Sequence, residues 1–160
     1  MMRTHRCAIS GSLALYFFDL TLEWAPADMD LYMPQQRRQR VVRYLTAEGY
    51  TPVQRADIHH SEYNVNCGIA DVVTMCNSAC TINVVVAAGR TCIAPIFCFH
   101  TTAVMNFLSA DVFFCAYPTL TTSKKALCNP IAYSDGWPTT ALALCYTKYA
   151  NRGYSVRMNP

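Results

Sequence analysis

The sequence predicts an α+β fold, a two-layer sandwich with two helices on one face of an antiparallel sheet. Three observations lead there. From residue 50 onward the candidate elements run strand, helix, strand, strand, helix, strand, the β-α-β-β-α-β order of ferredoxin-like folds, with one extra C-terminal strand. The 160 residues suffice for one domain with a sizeable core. A composition of 52% hydrophobic and 14% charged residues with a net charge of +3 excludes a disordered chain, which needs few apolar groups and many charges.

Residues 1–27 have the layout of a signal peptide. A basic start (Arg3, His5, Arg6) leads into an apolar stretch from Cys7 to Phe18 and then Ala25-Pro26-Ala27, small residues suited to cleavage after Ala27. Asp19 and Glu23 interrupt that pattern, and the competing reading is a strand or helix over Leu13 to Leu22 packed on the core. Next comes the densest charge in the chain, Arg37-Arg38-Gln39-Arg40, which fits a processing site with cleavage after Arg40. Residues 28–40 would then be a pro-segment and 41–160 a single domain. The same residues also fit the solvated face of a helix from Gln35 to Leu45, with Val41, Val42 and Leu45 inward, or a phosphate-binding patch.

Within the domain, Tyr50 to Ile58 reads as an edge strand, because Pro52 cannot donate to a ladder. Ile69, Val72, Val73, Cys76, Ala79 and Cys80 gather on one side of a helical circle, predicting the first helix. Thr81 to Ala87, with Val84, Val85 and Val86 at its centre, reads as a strand that turns at Gly89 and returns over Thr91 to Phe99. A second helix is expected from Thr101 or Thr102 to about Ala116, stopped by Pro118. Residues 119–140 carry turn signals, and a final hairpin pairs Ala141 to Tyr149 with Tyr154 to Met158 across Asn151-Arg152-Gly153.

Sulfur dominates the functional reading. Removing residues 1–27 takes Cys7 away and leaves eight cysteines, Cys67, Cys76, Cys80, Cys92, Cys98, Cys115, Cys128 and Cys145, the even number expected of a disulfide framework in a small secreted chain. Each bridge would contribute about 2–4 kcal/mol. On the expected helix Cys76 and Cys80 point the same way, and Cys92 and Cys98 share one face of the expected return strand, so the two sets face each other. The architecture resembles the small disulfide-rich sandwiches of secreted fungal killer toxins and effectors. That resemblance implies a secreted, extracellular protein that acts by binding a protein or cell-surface target. Two alternatives stand beside it. One is a small membrane protein using the apolar region 72–123, whose uncharged run Thr91 to Ala110 is twenty residues long. The other is an intracellular domain with buried free cysteines.

The residues do not point to catalysis. There is no nucleophile elbow, Gly-rich phosphate loop or zinc-protease helix motif. His59-His60-Ser61-Glu62 contains H-x-E, which resembles the start of the zinc-dependent nucleobase deaminase signature. The spacing from Cys76 to Cys80 is one residue longer than that family's C-x-x-C, so no metal and no cofactor are expected. Asp111 is expected on a buried helix face, where it needs a partner or water, with His100 and Arg90 as candidate partners. From Val41 onward eight Lys/Arg against six Asp/Glu leave +2, too little to indicate nucleic acid. Contact with a membrane stays open, as does the oligomeric state. The expected partner-binding surface is aromatic: Tyr133 and Trp137 on the loop, with Tyr146, Tyr149 and Tyr154 on the hairpin.

Overall fold

A computed structural model describes residues 1–18, 23–53, 67–130 and 140–158. Its chain order begins with α1 (Met2–His5), β1 (Ala8–Ser10), α2 (Gly11–Phe18), β2 (Asp28–Pro34), α3 (Arg38–Ala47) and β3 (Thr51–Pro52). It continues with β4 (Ile69–Cys76), β5 (Thr81–Ala87), β6 (Asn106–Leu108), β7 (Phe113–Cys115), α4 (Pro118–Thr122), β8 (Lys125–Leu127), α5 (Thr140–Asn151) and β9 (Ser155–Arg157). Seven strands form one mixed sheet in the order β3-β4-β5-β2-β1-β6-β7, and β8 pairs with β9 in parallel. This is an α+β fold, but not the ferredoxin-like order. Its centre is the parallel pair β2 and β5, with Leu31 beside Val84, Tyr32 beside Val85 and Met33 beside Val86.

The run Ile82 to Ala87 is buried throughout, as expected of a strand covered on both faces. Alternation assigns the faces. Leu31, Met33, Val84, Val86, Met75 and Ile82 pack with Val41 and Leu45 of α3 on one side. Tyr32, Val85 and Ala8 pack with Ile96 and Phe107 on the other. Each such side chain contributes about 1.5–3 kcal/mol by leaving water. A third cluster joins Leu15 of α2 to Ala103, Val104, Ala126, Tyr149 and Tyr154.

The strand over Thr81–Ala87 and the inward Val41 and Leu45 agree with the sequence reading. Four expectations are corrected. The helix expected from Ile69 is strand β4, paired antiparallel with β5. A register shift between Ile69 and Asp71 breaks the two-residue alternation, so its apolar residues mimic a helical period. The helix expected from Thr102 is a short 3-10 turn (Thr102–Val104) followed by the β6 and β7 hairpin. There Ser109 Oγ accepts N–H bonds from Asp111 at 3.2 Å and Val112 at 3.0 Å, a side-chain turn that competes with helix. The return strand expected over Thr91 to Phe99 is a 3-10 segment (Ala94–Cys98), with Pro95 near its start.

The fourth correction is the final hairpin, which is helix α5 followed by strand β9. Gly153 has φ +87°, its N–H bonds Ala150 O at 2.9 Å, and the Tyr154 N–H bonds Tyr149 O at 3.0 Å. Asn151-Arg152-Gly153 is therefore a helix stop of the Schellman type, a second use of the same turn-forming residues.

The disulfide-rich character is also overturned. All nine cysteines lie in described residues and none is in a disulfide. Two helical turns and a β-hairpin would have brought the sulfurs face to face. With Cys76 ending a strand and Cys92 and Cys98 bracketing a 3-10 segment, that geometry is gone. Within the described residues no helix is long and apolar enough to cross a membrane.

Candidate functional site

The site begins with two carboxylates on β2. Asp28 and Asp30 are two residues apart on a strand, so both project from one face. Asp30 is in register with Asn83 of β5, which is opposite Thr74 of β4, and on its other side Asp30 is opposite Ser10 of β1. The Asn83 amide binds both acids: Nδ2 donates to Asp28 Oδ2 at 3.0 Å and to Asp30 Oδ1 at 3.1 Å. Its Oδ1 accepts from Thr74 Oγ1 at 3.1 Å, which fixes the amide's orientation. One amide hydrogen per acid leaves most carboxylate lone pairs available to another donor or to a cation.

Gly11 explains how the acid pair meets α2. Its φ is +68°, and a β-carbon there would lie 2.1 Å from Asp30 Oδ2. The Asp30 carboxyl therefore rests against the α-carbon of the first residue of α2, where any larger residue would displace it. The first N–H groups of a helix lack intrahelical acceptors and carry partial positive charge. Ser10 and Ser12, on either side of the glycine, are both buried, and Ser10 Oγ donates to Asn106 O at 2.5 Å. The order strand, Gly-Ser, helix, and Asp-x-Asp on the neighbouring strand puts a helix start and two acids at one end of the sheet.

Burial, and then the charge of Asp28, push the Asp30 carboxyl up to about 6, while the Asn83 hydrogen bond and Lys148 of α5 act in the opposite direction. The C-terminal half of α5 is close enough for its charges to be felt here. The Tyr149 hydroxyl is pushed up, chiefly by burial and also by Asp30 and Asp28, against the effect of Arg152. His100, with its ring centroid 5.6 Å from that of Tyr149, is pulled down to about 4 by burial and then by Lys148. Arg152 lies over the Trp24 ring at 3.8 Å, and its buried Nη1 has no hydrogen-bond partner among the described residues. The acid pair thus feels the charge of Lys148, and its own charge is felt at the Tyr149 hydroxyl.

Among the described residues no set of three or more His, Cys, Asp or Glu side chains is placed to hold a metal. Two carboxylates suit a different regime. Mg2+ keeps several waters and binds through one or two carboxylates together with the phosphates of its ligand. Asp28 and Asp30 would hold such a cation, and the Gly11-Ser12 start of α2 would face an anion beside it.

The residues singled out from the sequence are scattered in the structure. Cys7, Cys67, Cys92 and Cys128 are buried, Cys76, Cys98, Cys115 and Cys145 are half-buried, and Cys80 is exposed, its Sγ 3.1 Å from Tyr50 Oη. Burial pushes the Cys7 thiol up to about 12 and Cys67 up to about 11. Ala27 is exposed just before β2, and Arg40 is exposed on α3. Tyr146 is half-buried, whereas Tyr149 and Tyr154 are 4% and 2% exposed and belong to the core. Tyr133, Trp137, His59, His60 and Glu62 lie outside the described residues. Asp111 is exposed in the turn before β7 and pairs with Arg3, not with His100 or Arg90.

Comparisons with protein-family models, with curated proteins and with solved structures return no match.

Proposed function

We propose that this chain is a binding domain for a phosphate-bearing ligand complexed with a divalent cation. In this reading Asp28 and Asp30 hold the cation, and Gly11-Ser12 at the start of α2 faces the phosphate. One observation carries it: two carboxylates from one strand share a single amide donor, and one of them is seated on a glycine at a helix start. Burying a carboxylate beside a like charge without a cation is costly, and the raised proton affinity of Asp30 reflects first its burial and then the charge of Asp28. Lys148 is the basic group whose charge is felt at Asp30, suited to a further phosphate oxygen. The secreted, effector-like reading rested on paired sulfurs, and none of the nine cysteines is in a disulfide. Cys7 and Cys92 are packed within core clusters, which is compatible with the alternative of an intracellular domain carrying buried thiols.

Isothermal titration of the full chain with Mg2+ and a nucleoside triphosphate, together and separately, tests the proposal. Mg2+ is expected to strengthen binding of the triphosphate, and that gain is expected to disappear in Asp28→Asn and Asp30→Asn. Equal binding with EDTA present, or unchanged binding in both variants, would overturn it.

A further inference from the structure

At the opposite end of β2 lies a cavity of about 480 Å3, within the size range of small-molecule sites. Arg3, Arg6 and Arg90 reach it against one carboxylate, Asp111. Arg3 is paired with Asp111, which leaves Arg6 and Arg90 without an ion pair among the described residues. Met2, Ala8, Pro34 and Ile93 give the remaining wall an apolar character.

The surroundings are cationic as well. His5, next to Arg6, is pulled down by burial and then by Arg37, the chain's amino terminus and Arg40. Arg6 itself occupies the left-handed region at φ 55°, capping α1, with its N–H directed to Arg3 O and the Cys7 N–H to Met2 O. That conformation costs a residue with a β-carbon about 1–2 kcal/mol, so the turn that carries the guanidinium to the cavity is held against strain.

We infer that this cavity is a second, cation-independent binding site for a small phosphate monoester with an apolar body, the phosphate held between Arg6 and Arg90. A guanidinium offers paired N–H donors that match a phosphate's oxygens, and two unpaired guanidinium groups suit a dianion. The apolar wall rewards an organic body that inorganic phosphate lacks. The cavity is open to solvent, and its volume suits a small ligand.

The test uses the full-length chain in EDTA, with phenyl phosphate, inorganic phosphate and phenol titrated by calorimetry. Phenyl phosphate is expected to bind at one site, more tightly than either of the other two. Arg90→Gln should weaken it at least about tenfold, and Arg6→Gly with Arg90→Gln should abolish it. Glycine is chosen at position 6 because it accepts positive φ, and circular dichroism confirms that the double variant is folded. Asp30→Asn is expected to leave phenyl phosphate binding intact, which separates this site from the acid pair. Non-saturable binding, equal affinity in the folded double variant, or loss in Asp30→Asn would overturn the inference. So would tight binding of a single-stranded oligonucleotide that phenyl phosphate fails to displace.

Discussion

Replacing Asp30 with asparagine removes the charge that the acid pair accommodates least well. Its carboxyl is raised from 3.8 to about 6, about two units, which at 1.36 kcal/mol per unit is about 3 kcal/mol. Because the folded value lies above the unfolded one, the folded state binds the extra proton between about pH 4 and about pH 6. The Asp30 contribution to stability is therefore greatest below that window, declines through it, and is lower by about 3 kcal/mol above pH 6. Asp30→Asn should recover much of this at about pH 7.5, raising Tm by about 6–12 °C for a chain of this size, and should flatten the slope between pH 4 and 6. Mg2+ at millimolar concentration should raise the wild-type Tm at about pH 7.5, lose that effect at about pH 4.5 where Asp30 is protonated, and leave Asp30→Asn unmoved. Differential scanning calorimetry at the two pH values, with Mg2+ and with EDTA, measures all of these. A wild-type Tm indifferent to Mg2+, together with an unstabilised Asp30→Asn variant, would refute the reading of this end of the sheet as a cation site.

Three further outcomes are expected. Gly11→Ala sets a β-carbon 2.1 Å from Asp30 Oδ2 at a backbone φ of +68°, and should cost at least about 1–3 kcal/mol in urea unfolding, together with the Mg2+ response. Thiol titration of denatured protein without reductant should count nine reactive groups, while in the native state exposed Cys80 reacts first and buried Cys7, its thiol raised to about 12, is protected. A chain beginning at Asp28 loses β1 from between β2 and β6 and buried Leu15 of α2, so it should show no cooperative thermal transition by circular dichroism.

The parts of this fold legible in the sequence are those where one physical pattern acts alone. Val84, Val85 and Val86 are β-branched and contiguous, and no helix competes for them. Val41 and Leu45 are four apart on a polar helix. The failures have a common cause: short elements whose apolar spacing satisfies two periods at once. The bulge in β4 converts alternation into a near-helical spacing, and Ala and Leu in α5 are good helix formers that were outweighed by a turn signal. Asn151-Arg152-Gly153 identifies a chain reversal but does not say whether a strand or a helix precedes it. Long-range pairing, such as β2 beside β5 with Asp28 opposite Thr81, leaves no local trace.

The acid pair was open to detection and was missed because Asp28 coincided with the predicted cleavage point after Ala27. Read without that cut, Gly11-Ser12 after an apolar strand and Asp28-Met29-Asp30 before Leu31-Tyr32-Met33 is a spacing that places two like charges on one face next to a core strand. Such a placement is costly unless something positive comes to it. The basic cavity was half visible as Arg3 and Arg6, but Arg90 reaches it only through the parallel ladder. β2 joins the two places, running from Asp30 to Pro34, which lines the cavity. At about 3.3 Å per residue the separation along the strand is about 13 Å, so the two places are distinct along β2. A single rigid strand can hold an acidic end that recruits a cation and a basic end that takes a bare anion, and each can be silenced without disturbing the other.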